Sequence, residues 1–162
     1  MKLHSGWLAA GLLLAVVLAC NTSKNSNNSN SNNSNSNKSS NSSSNTRPAN
    51  ADVYIETISM AKDKDGSPGD TATSFEPAEH TVHCVIDLNK AKSGTTVKFV
   101  WTAVDVEDSK NGEIKTIDYT TKPFENKVHA HLTLPRDWPK GAYKVEVYIN
   151  GALDKTISYT VD

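Results

Sequence analysis

The residues of this chain whose type and spacing could do chemistry are its histidines. Four of them follow position 50 and form two close pairs, His80 with His83 and His129 with His131. In an extended strand His129 and His131 project from the same face, about 7 Å apart. Neutral imidazoles gathered on one face are ligands that Zn²⁺ and Cu²⁺ accept. These four histidines are therefore the candidate ligands of a zinc or copper site.

Such a site requires that the strand carrying His83 lies beside the strand carrying His129 and His131. In that arrangement three imidazoles share one outer face, and His80 or Asp87 is available as a further ligand. The alternative is that these histidines are ordinary polar surface on an exposed strand face. We therefore expect no cofactor, and keep metal binding as the alternative function.

The motifs that other kinds of catalysis or ligand binding require are absent from the sequence. The sequence has no glycine-rich phosphate loop, no serine in a nucleophile elbow and no His-Glu-x-x-His motif on a helix. The segment 63–66, Asp-Lys-Asp-Gly, begins like a calcium loop, but its glycine comes too early and no glutamate closes it, so we interpret it as a solvated turn. Cys84 alternates in phase with Val82 and Ile86, which predicts a buried structural thiol rather than a nucleophile. We expect a protein that is not an enzyme.

The segments that carry these residues have the period of two that is typical of β-strands. No stretch after position 50 has apolar residues at helical spacing. Asn150-Gly151 between two alternating runs predicts a hairpin turn, and 62–74 is predicted to be a loop. The predicted strands are 53–61, 81–88, 95–106, 113–121, 127–134, 143–149 and a return strand that ends at Val161. About seven strands at this spacing predict an all-β, two-layer sandwich.

The N-terminus has the pattern of a secretion signal. Lys2 precedes an apolar run from Trp7 to Ala19, which is too short to span a bilayer comfortably. The residues at 17–20, Val-Leu-Ala-Cys, resemble the lipobox of bacterial lipoproteins, although that family prefers leucine where valine stands here and a small residue where leucine stands. A plain secretory signal is the alternative. The resemblance implies cleavage after Ala19 and acylation of Cys20, with palmitate-type chains.

The lipid on Cys20 would be a membrane anchor, because more than one acyl chain holds a protein stably on a bilayer. The resemblance therefore implies a lipid-anchored protein of the bacterial cell envelope, on the outer membrane or on the outer face of the cell membrane. Asn21 differs from the aspartate that signals inner-membrane retention, which favours the outer membrane where a cell has two.

Residues 20–50 consist almost entirely of asparagine and serine after the cysteine. This composition offers no apolar surface to offset the entropy of ordering, so we predict a disordered stalk with a reach of roughly 30 Å. The domain organisation is then signal peptide 1–19, stalk 20–50 and folded domain 51–162. All 18 acidic residues follow position 50, against 13 of the 17 basic ones, which gives the domain a net charge of −5. A nucleic-acid partner is not expected for such a charge.

Three features of the domain resemble immunoglobulin-like sandwiches. Cys84 and Trp101 have the phase of core residues on successive strands, and Tyr143 precedes a buried run that starts at Val145. The segment around Tyr143 is similar to the tyrosine corner of that family, which implies that its hydroxyl bonds back to the upstream backbone. Val145 stands where the family has its second cysteine, and with Cys20 acylated Cys84 has no partner for a disulfide.

The resemblance implies a fold and leaves the function open. We expect a monomeric, non-catalytic binding or adhesion module, held on the membrane by its N-terminal lipid, whose partner is an envelope protein or a glycan. An aromatic corner at Trp138-Pro139 could offer a stacking platform for a sugar, but such corners usually pack the end of a sandwich, and we interpret it in that way.

Overall fold

The structure is a computed structural model that describes residues 43–107 and 109–162, and every regular element in these residues is a β-strand. The strands are β1 Ser43–Asn45, β2 Ile55–Lys64, β3 Ser67–Thr71, β4 Ser74–Phe75, β5 Thr81–Leu88, β6 Thr96–Val106, β7 Ser109–Thr120, β8 Lys127–Thr133, β9 Gly141–Ile149 and β10 Ala152–Val161. The predicted all-β class is confirmed. The predicted signal peptide, Cys20 and the predicted stalk as far as residue 42 lie outside the described residues. Within those residues, no helix is long and apolar enough to cross a membrane.

The strands form two sheets. One has the order β1-β10-β9-β6-β7, with β4 also beside β10, and the other has the order β3-β2-β5-β8. The seven long strands, β2-β5-β8 in one layer and β10-β9-β6-β7 in the other, have the arrangement of an immunoglobulin-like sandwich. The predicted immunoglobulin-like fold with about seven strands is therefore confirmed.

The core lies between the two sheets and follows the alternation of the sequence. In β6 the inward side chains Phe99 and Trp101 are completely buried, with ring centroids 5.9 Å apart. In the opposite sheet Cys84 is a free, completely buried cysteine that lies in register between Met60 and Ala130. Burial raises the pKa of the Cys84 thiol far above its ordinary value, so the thiol stays protonated.

The corner between β8 and β9 is held by two aromatic side chains. The Tyr143 hydroxyl donates a hydrogen bond of 2.6 Å to the carbonyl oxygen of Pro139, the bond that the resemblance implies. Trp138 is buried, its Nε1 donates to the carbonyl oxygen of His80 at 3.0 Å, and its ring meets Tyr143 edge-on at 5.3 Å. Trp138 therefore packs the corner and has no face free for a sugar. Val145, two residues on, is completely buried.

One predicted loop is wrong in part. The sequence predicted a loop over 62–74, whereas β2 continues to Lys64 and returns as β3. Asp65 and Gly66 have φ of 54° and 81°, the two successive positive values of a tight hairpin turn. The hairpin was missed because β3 is a polar edge strand, and such a strand lacks the apolar alternation on which the prediction rests.

The sandwich also begins before residue 51. Ser43–Asn45, which the composition assigns to the stalk, form β1 and pair antiparallel with residues 155–157 of β10. The pairing joins backbone groups and so needs no apolar side chains. The Arg47 guanidinium then lies over the ring of Tyr54, 4.1 Å from its centroid, which fixes the entry into the domain.

Candidate functional site

Strand register brings three of the four candidate histidines together. His83 in β5 is directly opposite His131 in β8, and Val85, two residues on, is opposite His129. The ring centroid of His83 lies 5.3 Å from that of His131 and 5.8 Å from that of His129. The outer face of the four-stranded sheet thus carries a histidine cluster, made of His83, His129 and His131.

His83 is completely buried although it lies on the outer face of the sheet. On the β2 side its neighbour in register is Ala61, whose small side chain leaves room for the imidazole. On the β8 side it has the rings of His129 and His131, which are themselves exposed. The expectation of a uniformly exposed face therefore does not hold at His83, because neighbouring side chains cover it.

Asp63 fixes the His83 ring. The Asp63 Oδ1 lies 2.7 Å from Nε2 of His83, and its Oδ2 accepts the backbone N–H of Gly66 at 3.2 Å. The hydrogen bond from His83 first, and that from Gly66 second, lower the pKa of Asp63. Asp63 is therefore a carboxylate that can only accept, so Nε2 of His83 carries the proton. In the neutral imidazole Nδ1 has the lone pair, and this buried atom has no hydrogen-bond partner among the described residues.

Burial first, and the neighbouring His83 and His131 second, lower the pKa of His129, which favours its neutral form. A neutral imidazole is the form that binds metals. As the side chains are placed, however, residues 43–107 and 109–162 contain no group of three or more His, Cys, Asp or Glu side chains that could hold a metal ion. Zinc or copper binding therefore stays a prediction.

The other two candidate ligands are bound elsewhere. Nε2 of His80 lies 2.8 Å from Oδ1 of Asp137, and His80 lines a polar cavity of about 300 Å³ together with Asp63. Asp87 bonds to Nζ of Lys127 at 2.7 Å and to the hydroxyl of Thr57 at 2.6 Å. The structure therefore does not bring His80 or Asp87 into the histidine cluster.

Asp63 is the site residue that sequence reasoning missed. It was interpreted as part of a solvated turn, and its contact with His83 joins residues 20 positions apart. The signal that could have found it is the Asp65-Gly66 dipeptide, which favours a two-residue hairpin turn. A strand continued to that turn places Asp63 on the same face as Ala61, which is the face of His83.

A second feature lies at the opposite end of the sandwich, in the turn between β7 and β8. Phe124 is 96% exposed and has φ of 65°, a conformation that bulky side chains rarely adopt. The carboxylate of Glu125 holds the turn: it accepts the backbone N–H of Lys122 at 2.8 Å and the hydroxyl of Tyr119 at 2.7 Å. The predicted strands 113–121 and 127–134 leave a connection here, but Phe124 was not singled out from the sequence.

Comparison with known proteins yields a similar structure and no family. No family model matches the sequence, and no curated protein matches it. Among solved structures, an immunoglobulin-like protein from Pseudomonas aeruginosa is similar to this chain, with a TM-score of 0.48 and 17% sequence identity. The alignment covers 71% of this chain and 100% of that one.

Proposed function

We propose that this chain is a lipid-anchored protein of the bacterial envelope whose immunoglobulin-like sandwich is a non-catalytic binding module. The lipobox-like residues 17–20 support the anchor, and the asparagine- and serine-rich tract supports a tether that holds the sandwich away from the lipid surface. The sandwich supplies a rigid body that displays loops at its two ends.

The observation that carries the binding role is Phe124. An apolar side chain that is 96% exposed gains no burial energy from the fold, and its positive φ costs free energy as well. The bonds to Glu125 nevertheless hold the turn in one conformation. Because the turn is already held, its backbone loses little entropy when Phe124 enters a pocket of a partner, which favours a binding hot spot.

The partner that fits this side chain best is a protein. The phenyl ring has no hydrogen-bonding group, so what it offers is apolar area for an apolar pocket. An envelope protein is therefore the proposed partner, and a glycan is the outcome that would correct this choice.

Photocrosslinking in the producing cell tests the proposal. A photoreactive phenylalanine analogue replaces Phe124 in the full chain, and the matched control carries it at Asp65, an exposed turn residue at the other end with a similar φ of 54°. We expect a discrete protein adduct from position 124 and none from position 65. No adduct at position 124, the same adducts at both positions, or an adduct that only glycosidases remove would contradict a protein partner.

The lipid anchor is tested separately in the same cells. Labelled palmitate should be incorporated into the wild-type protein and not into the Cys20→Ser variant.

A second candidate function is the binding of Zn²⁺ or Cu²⁺. The specific observation in its favour is that the His83 ring lies 5.3 and 5.8 Å from those of His131 and His129. Two imidazoles that share a tetrahedral zinc at metal–nitrogen distances of about 2 Å have centroids about 5 Å apart, and the similar spacing of these rings supports a site that a change of rotamer would complete.

A further inference from the structure

The histidine cluster has more specific chemistry than a group of exposed imidazoles. Its central member is buried, its Nε2 is bound to a carboxylate, and its Nδ1 has no hydrogen-bond partner in the part of the chain that the structure describes. A buried imidazole nitrogen without a partner is costly to the fold. Ligand histidines in metal sites have this arrangement, in which one ring nitrogen donates to a carboxylate and the other binds the metal.

We propose that the histidine cluster is an open divalent-metal site in which Nδ1 of His83 and the imidazoles of His129 and His131 are the ligands, and Asp63 is the positioning residue that selects the Nδ1 lone pair of His83. This inference deepens the second proposed function, metal binding, and rests on it.

The strand geometry limits how the three ligands meet. His83 and His131 are opposite each other across β5 and β8, and His129 lies on the diagonal, so the three Cβ atoms form a triangle with sides of about 5–8 Å. His83 is fixed by burial and by Asp63, whereas His129 and His131 are exposed and can change rotamer without disturbing the core. The three rings as they stand do not form a group that could hold a metal ion, so the proposed site assigns the necessary rotation to the two surface histidines.

Asp63 is suited to its part because both of its oxygens are occupied. Oδ2 accepts the N–H of Gly66 in the β2–β3 turn, and this bond aims Oδ1 at His83. A carboxylate in this position also strengthens the imidazole as a metal ligand. Replacing it with asparagine keeps the shape but removes the charge, and an amide can present its NH₂ group instead of its oxygen.

The remaining side chains leave this site with three protein ligands. Nε2 of His80 is bound to Asp137, and the oxygens of Asp87 are bound to Lys127 and Thr57. Since His129 and His131 face solvent, the fourth position of a bound ion also faces solvent. Three protein ligands with one open position distinguish this site from closed structural zinc sites, which have four protein ligands.

The proposal is tested by metal titration of the full chain in detergent, without a polyhistidine tag. Zn²⁺ binding is measured in competition with a chromophoric chelator, and Co²⁺ binding is measured by the visible absorbance of the bound ion. We expect one equivalent of metal and a tetrahedral Co²⁺ spectrum. The His129→Ala/His131→Ala variant should lose this uptake, and the matched control His80→Ala should keep it. Asp63→Asn should still bind, about 10- to 100-fold more weakly. Imidazole ¹⁵N spectra should show the metal on Nδ1 of His83 and the proton on Nε2.

The outcomes separate the two levels of the proposal. No stoichiometric uptake by the wild type, or equal uptake by the double variant, would overturn metal binding itself. Uptake by the wild type with unchanged affinity in Asp63→Asn, or with the metal on Nε2 of His83, would leave metal binding standing and overturn the role of Asp63. Weaker uptake by His80→Ala would place His80 in the site and overturn the three-ligand set. Because the two alanines replace exposed residues, the double variant is expected to fold.

Discussion

Two buried polar side chains in this sandwich, His83 in β5 and Asp154 in β10, are each satisfied at one atom only. Oδ2 of Asp154 accepts the backbone N–H of Ile55 at 3.3 Å, and its Oδ1 has no partner among the described residues, just as Nδ1 of His83 has none. Both side chains are almost inaccessible to solvent, at 0% for His83 and 1% for Asp154. Their surroundings, however, are different.

Asp154 lies where the register of β10 shifts between Leu153 and Lys155, and burial raises the pKa of its carboxyl, which disfavours the charged form. The unpaired nitrogen of His83 has instead two more imidazoles beside it, His129 and His131. A buried polar atom without a hydrogen-bond partner lowers the stability of the fold wherever it occurs. It indicates a binding site only where neighbouring side chains can bind the same ligand, as the imidazoles beside His83 can.

The largest effect is expected from His83→Ala. Removal of a buried ring and of its bond to Asp63 should lower the free energy of unfolding by about 2–3 kcal/mol. His129→Ala, in the same cluster but exposed, should change it by less than about 0.5 kcal/mol. Urea denaturation with a chelator present measures both. Equal losses in the two variants would break the distinction between the buried centre of the cluster and its exposed members.

A matched pair of tyrosines extends the comparison to hydroxyl groups. Tyr143 and Tyr159 stack with ring centroids 5.2 Å apart, but only the hydroxyl of Tyr143 has a hydrogen-bond partner among the described residues. Tyr143→Phe should therefore cost about 1 kcal/mol of stability, and Tyr159→Phe should be neutral within about 0.5 kcal/mol or slightly stabilising. A larger loss in Tyr159→Phe, measured by the same denaturation, would show that its hydroxyl is paired.

The smallest effect is expected at Asp154 and depends on pH. Because the pKa of the folded state is raised, the contribution of Asp154 is fully present below the unfolded pKa of about 3.9 and is lost as pH rises through the folded pKa. Asp154→Asn keeps an oxygen for the Ile55 N–H and removes the charge, so its Tm should exceed that of the wild type at pH 7 by a few degrees. The gain should vanish near pH 3, and a gain that is equal at both pH values would contradict the assigned cause.

The side chains that face the core were predictable because apolar and polar residues alternate along each strand. Cys84 and Trp101 took the phase of buried residues in the sequence, and both are completely buried. The hydroxyl bond of Tyr143 followed from the immunoglobulin-like resemblance rather than from periodicity. The burial of Cys84 and Trp101 depends on local alternation, which a single sequence displays directly.

The outward face was less predictable because it depends on which strands are neighbours and in what register. The burial of His83 needs Ala61 from one strand and His131 from another, and its bond to Asp63 needs a hairpin formed by polar residues. Likewise, the positive φ of Phe124 belongs to a turn whose conformation is held by a carboxylate. None of these contacts leaves a periodic trace in the sequence.

The pairing of β1 with β10 has a consequence for crowding. A free strand edge is a template on which another chain can add, and a lipid anchor of the proposed kind would concentrate many copies in two dimensions. Along β10 that edge is occupied by Ser43–Asn45 at one end and by β4 at the other. Ser43–Asn45 and β4 thus shield this edge of the sheet against association with neighbouring copies.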